Sequence, residues 1–204
     1  MSKREDILAA ATTLFAQKGY TATSTTEIVE RAGVAQGTLF YHFKHKEGIL
    51  LAILEEILNE YLRNMESIIQ KQENGLASVE ELIRSSIHFR QSKSVELMVL
   101  MRDFPADLVK PDSQQMAFIV QFFERLHGLF KCFLEKGQAD GTIRKLDADK
   151  YAHILLGMLS GLDRHVLLSP MTVPDLTEES IDFCLDAISS TVKKSSLIAG
   201  GPKQ

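Results

Sequence analysis

The stretch TEIVERAGVAQGTLFYHFKHKEGIL, residues 26–50, decides the fold. Ser24, Thr25, Thr26 and Glu27 lead into it as an S-x-x-E box, in which hydroxyl and carboxylate each satisfy a free backbone N–H at the other end. Ile28, Val29 and Ala32 then share one side of a short helix over 25–32, and Gly33 stops it. Val34 and Ala35 complete a tight turn. A helix over 36–43 follows, with Leu39 and Phe43 one turn apart and directed inward. Two short helices joined by a tight glycine-bearing turn form a helix-turn-helix pattern.

The opposite flank of the second short helix carries Gln36, Thr38, Tyr41 and His42, with Gly37 near its start. Those side chains suit duplex DNA. Gln pairs bidentately with adenine, Thr packs on the thymine methyl, and Tyr and His donate to phosphate. Gly37 has no Cβ, so backbone can approach a ligand closely there. The start of the preceding helix, with Thr25 and Thr26, offers N–H groups and hydroxyls to phosphate, although a purely capping role is the competing reading. Lys44 and Lys46 flank the other side. Lys46 has a plain alternative as a solvated first-turn residue of the next helix.

Outward from this stretch the chain reads as helices. Ile7, Ala11, Leu14 and Phe15 form one apolar stripe over 3–18, ended by Gly19. A long helix runs over 46–72 with Ile49, Leu50, Ile53, Ile57 and Tyr61 on one side. Further helices are expected over 78–91, 95–103, 113–136, 149–168 and 178–194, separated by Gly and Pro. No segment shows convincing strand periodicity, so the expected fold is all-α.

Residues 1–50 carry a net charge of +1 and the remainder −5, which permits nucleic-acid binding by the head and disfavours it for the body. Cys132 and Cys184 read as buried, reduced thiols without metal-ligand spacing. The N-terminus does not resemble a signal peptide, and no apolar run approaches the ~18 residues of a membrane span, so a cytoplasmic location is expected. No H-E-x-x-H, nucleophile elbow, phosphate-binding glycine loop or CxxC occurs, so the sequence offers neither an enzyme signature nor a cofactor or metal site.

Residues 4–54 as a whole resemble the DNA-binding signature of the TetR family of repressors. The matching elements are the quoted stretch, Ile7-Leu8-Ala9-Ala10-Ala11, Leu14-Phe15 and Lys18-Gly19-Tyr20. The resemblance implies DNA contacts at Thr25, Gln36, Gly37, Thr38, Tyr41, His42 and Lys46. It also implies a three-helix head over 1–47, a helical effector-binding and dimerisation body over 48–198, and a flexible tail over 199–204. Two departures stand out. Ala35 occupies the usual Ser/Thr cap position, a loss of roughly 1 kcal/mol, and Phe40 replaces a common Tyr.

The body is rich in Met and Phe, residues that line adaptable apolar pockets but more often simply form core. In the family the equivalent helices enclose an effector pocket, which places Phe89, Met98, Met101, Phe104, Phe122, Leu126, His127 and Phe130 around a small, partly apolar ligand. The family also dimerises through its last two long helices. Tyr151, Ile154, Leu155, Met158 and Leu162 on one, and Ile181, Leu185 and Ile188 on the other, are the expected interface. The functional expectation is a homodimeric repressor on a palindromic operator, released by an effector.

Overall fold

The computed structural model describes residues 2–70, 74–103, 110–111 and 113–191. Phe104, the 199–204 tail and the end of the helix expected over 178–194 lie outside the described residues. Among the described residues there are nine α-helices and no strand. They are α1 (Lys3–Lys18), α2 (Thr25–Ala32), α3 (Gln36–Phe43), α4 (Lys46–Glu66), α5 (Gly75–Ser92), α6 (Ser94–Asp103), α7 (Gln114–Asp140), α8 (Ala148–Leu168) and α9 (Thr177–Ile188). No described helix is long and apolar enough to cross a membrane.

Capping chemistry fixes the head helices. Ser2 and Glu5 form a capping box on α1, and Ser24 and Glu27 form another on α2. Gly33 ends α2 in the left-handed conformation at φ 64°. Ile7, Ala11, Phe15, Ile28 and Leu39 are fully buried, which makes the three short stripes one core.

That core does not stop at residue 47. It takes in Ile49, Leu50, Ile53 and Ile57 from α4, Phe89 from α5 and Val99 from α6. A second core is built from Leu62 and Met65 at the far end of α4, together with α5, α7, α8 and α9. Tyr61 packs against both. The head therefore sits on helices of the body with no linker between them.

Several ends differ from the sequence expectation. Helix α4 gives way at Glu66 to a 3₁₀ turn over Ser67–Gln70, where the Ser67 hydroxyl donates back to the Asn64 carbonyl at 2.8 Å. Helix α7 continues past Gly137 to Asp140. Gly137 is a packing site rather than a break: a Cβ on Gly75 would lie 2.0 Å from the Gly137 nitrogen. Helix α9 ends at Ile188 because the chain there pairs with the 142–144 segment, Arg144 N–H donating to the Ile188 carbonyl at 3.0 Å. Of the two cysteines, Cys184 is buried as expected, but Cys132 faces solvent because it lies on the outer side of α7.

Candidate nucleic-acid interface

The outward flank of α3 is built on two anchors. Leu39 and Phe43 are buried, which turns the rest of α3 outward. Tyr41 is 84% exposed, and His42 stacks edge-on against it with ring centroids 5.1 Å apart. Gly37 is exposed, and a Cβ added there would meet nothing within 4 Å. The free protein thus does not need a glycine at 37 for space. Phe40 is 47% exposed, so it joins the surface of α3 rather than the head core.

Ala35 caps α3 without a side-chain hydrogen bond. Gln36 supplies a different constraint: its Nε2 donates to Thr25 Oγ1 at 3.1 Å, tying the start of α3 to the start of α2. In α2 the Ser24 hydroxyl accepts from Glu27 N–H, so the N–H groups of Thr25 and Thr26 have no partner within the helix. Those two donors and the Gln36 amide share one small region. Lys18, paired with Glu27, and Ser24, bonded to it, hold the Glu27 carboxyl down at about 2, and the lysine offsets its charge beside that helix end.

The joint between α3 and α4 is tighter than a loop. Lys44 has φ 62° and ψ −47°, and His45 N–H donates to the Phe43 carbonyl at 2.7 Å, a strained γ-turn. The His45 ring then caps α4, Nδ1 accepting from Gly48 N–H at 3.3 Å. A Cβ on Gly48 would stand 2.2 Å from the Phe43 carbonyl oxygen, so the two helix ends are in backbone contact.

Lys44 is exposed beside this flank. Lys46 is placed differently. Its ammonium donates to the carbonyls of Tyr20 and Thr23 at 2.8 Å and of Thr21 at 3.4 Å, and lies 4.4 Å from the Tyr20 ring centroid. It ties the α1–α2 connector to α4.

Arg102, on α6, donates to the Phe15 carbonyl at 2.9 Å, capping the C-terminal end of α1. Residue 102 lies far along the chain from the head, and no local pattern announces this contact.

The described residues expected around an effector are divided between two cores and a groove. Phe89 belongs to the head core, Phe122, Leu126 and Phe130 are buried in the body core, and His127 faces a groove between α7 and α8. Met98 and Met101 are half-buried on α6. Large aromatics meet between α4, α5 and α7, Tyr61 lying 5.1 and 5.9 Å from Phe89 and Phe122 between ring centroids. Polar groups are nevertheless buried beside them. Tyr61 Oη and Ser86 Oγ are 2.7 Å apart, and Arg90 Nε lies 2.8 Å from Asp163 Oδ1.

Leu155, Ile181 and Ile188 were expected at a dimer interface but are buried within their own chain. Helices α8 and α9 pack their inner faces on α5 and α7 first, which uses those positions. The outer face carries Ile154 at 59% exposure and half-buried Met158 and Leu162. Phe183, which the sequence reading missed, joins them at 69% exposure. Tyr151 and Leu185 are half-buried, with Tyr151 bonded to Arg144 at 2.6 Å.

The chain is similar to known proteins. The family profile described as "Bacterial regulatory proteins, tetR family" matches residues 7–53. The HTH-type transcriptional repressor KstR2 of Mycolicibacterium smegmatis is 28% identical over 149 residues, 72% of this chain and 71% of that protein. The solved structure of the ketosteroid transcriptional regulator KstR2 of Mycobacterium tuberculosis superposes with a TM-score of 0.72 at 20% identity, covering 93% of this chain and 96% of that one. The fatty acid degradation regulator FadR from Bacillus halodurans gives 0.72 at 18% identity, covering 91% and 95%.

Proposed function

The chain belongs to the TetR family of bacterial regulatory proteins, and from that premise we propose that it is a homodimeric repressor whose two α3 helices read a palindromic operator and leave it when a small, partly apolar ligand enters the body. The observation that carries the DNA part is the outward flank of α3, polar, uncovered and held by two buried side chains. In this reading Gln36 and Thr38 address base edges. Tyr41, His42 and Lys44 take phosphates, as do the Thr25 and Thr26 N–H groups. A single helix reads too few bases for specificity, so two copies about 34–36 Å apart are needed.

The ligand class follows from the relatives and from the body's interior. One relative is described as a ketosteroid regulator and another as a fatty acid degradation regulator. Aromatic walls with the Tyr61–Ser86 and Arg90–Asp163 pairs buried among them would suit an apolar molecule with one polar end. Its entry parts the packed aromatics and moves α4, α5 and α6. Those helices carry Ile57, Phe89 and Val99, which belong to the head core, and Arg102, which bonds to Phe15.

The test is binding to a random duplex pool, followed by titration of the selected duplex at fixed salt with long-chain acyl and steroid acids. A preferred palindrome, and a ligand that weakens binding 5- to 150-fold, is the expected result. Gln36→Ala should relax base preference by about 1–3 kcal/mol, while Tyr41→Ala weakens all duplexes alike. No preferred duplex at low ionic strength removes the whole reading. A preferred duplex indifferent to every acid removes the ligand class alone.

A further inference from the structure

We propose that His127, Asp149 and His153 form a binding site for a borderline divalent cation, zinc(II) or nickel(II), that clasps α7 to the first two turns of α8. The three side chains come from two helices, and one ligand atom from each lies within 4.8 Å of the others. The His127 and His153 rings are 4.2 Å apart between centroids and only 34° from parallel. Two histidines on one side of an ion with a carboxylate as third ligand is a donor set suited to such metals.

The neighbouring groups fit. His127 Nε2 lies 3.3 Å from the Asp149 main-chain carbonyl and 3.8 Å from its carboxylate, so an ion taking the place of the Nε2 proton meets oxygen at once. Four-coordinate zinc holds its ligands about 3.3 Å apart, so a small rotation of the exposed Asp149 and His153 side chains toward half-buried His127 closes the cluster. Glu124 faces the adjoining groove one helical turn before His127. Lys131 competes for the site, its Nζ lying 3.2 Å from Asp149 Oδ1. That ion pair is largely exposed and weak. Three protein ligands leave a coordination position open toward the groove of about 630 Å³ lined by Phe123, Leu156 and Ser160.

The site is independent of the DNA reading and is tested without DNA. Full-length protein stripped with EDTA is titrated calorimetrically with zinc chloride and, separately, nickel chloride. The expected result is one ion per chain and a raised melting temperature. His153→Ala and Asp149→Asn should each weaken binding by more than about tenfold, the loss that even an outer-shell partner of a metal causes. Both positions are exposed, so circular dichroism of the variants should match the parent. Lys131→Ala should tighten binding, because it frees the carboxylate. His165→Ala, near the other end of α8, should change nothing. Equal affinity in the parent and His153→Ala, or weaker binding in Lys131→Ala, overturns the proposal. So does the same loss from His165→Ala as from His153→Ala.

Discussion

Lys46 and Gly37 show how differently single residues on one surface work. The Lys46 ammonium satisfies three carbonyls of the α1–α2 connector. Lys46→Met should therefore destabilise the head by about 1.5–3 kcal/mol, the range for hydrogen bonds to a charged group. A phosphate contact alone would leave the melting temperature unchanged and reduce the salt slope of DNA binding by about one. Thermal melts beside a salt titration separate the two. At Gly37 the expectation reverses. Gly37→Ala should stabilise the exposed helix by roughly 0.5–1 kcal/mol. On the proposed function the new methyl stands where the duplex approaches, so operator affinity should fall about tenfold or more, a loss of about 1.4 kcal/mol. Unchanged affinity by fluorescence anisotropy would place the DNA elsewhere. The polar flank was legible from the sequence because Leu39 and Phe43 set its direction within two turns. The role of Lys46 was not, because its partners lie more than 20 residues away.

Among the elements, caps and stripes were legible and joints were not. The S-x-x-E box and Gly33 give the ends of α2 directly, since both act within one turn. The γ-turn at Lys44 has no such signal, because a lysine at positive φ is imposed by the helices it joins. The ends of α7 and α9 were missed for a related reason: a glycine contact between helices and a single bridge to Ser189 decide them. Packing of α5 on α8 makes a pH prediction. Burial pushes the Asp163 carboxyl up to about 6, against the pull of Arg90. Below about pH 4 the folded and unfolded chains both hold that proton. As pH rises from about 4 to 6 the unfolded chain releases it first, so this group's contribution to stability falls, by at most about 3 kcal/mol, and then levels. Asp163→Asn should flatten that part of the stability profile in urea melts. An unchanged slope would mean that Asp163 ionises freely in the folded chain.

For the whole molecule, the all-α organisation followed from helical periodicity, but the use of each apolar face did not. Amphipathic α8 and α9 each have an inner and an outer apolar side, and the sequence does not say which side meets the chain's own core. Leu155, Ile181 and Ile188 went inward, while Ile154 and Phe183 stayed out. Likewise a run of Phe and Met is the same whether it fills a core or lines a cavity. Asp149 and His153 stand one turn apart on α8, but only the packing of α7 on α8 brings His127 to them, and no sequence spacing encodes that. If the outer face is the dimer surface, Ile154→Asp with Phe183→Asp should yield a folded monomer by sedimentation. Operator affinity should drop far more than for a single half-site mismatch, which costs about 1–3 kcal/mol. A double variant that remains dimeric would place the interface on another face.

The backbone contact at Gly48 and the three-residue turn before it leave α3 and α4 without slack between them. Helix α4 is then a crank with α3 bolted to its end. Its 21 residues make a rod about 31 Å long, and a swing of about 5° displaces the tip by roughly 3 Å. Base-edge hydrogen bonds survive over only a few tenths of an ångström. On the proposed function, a rearrangement too slight to disturb any helix would still lift the α3 side chains off their bases.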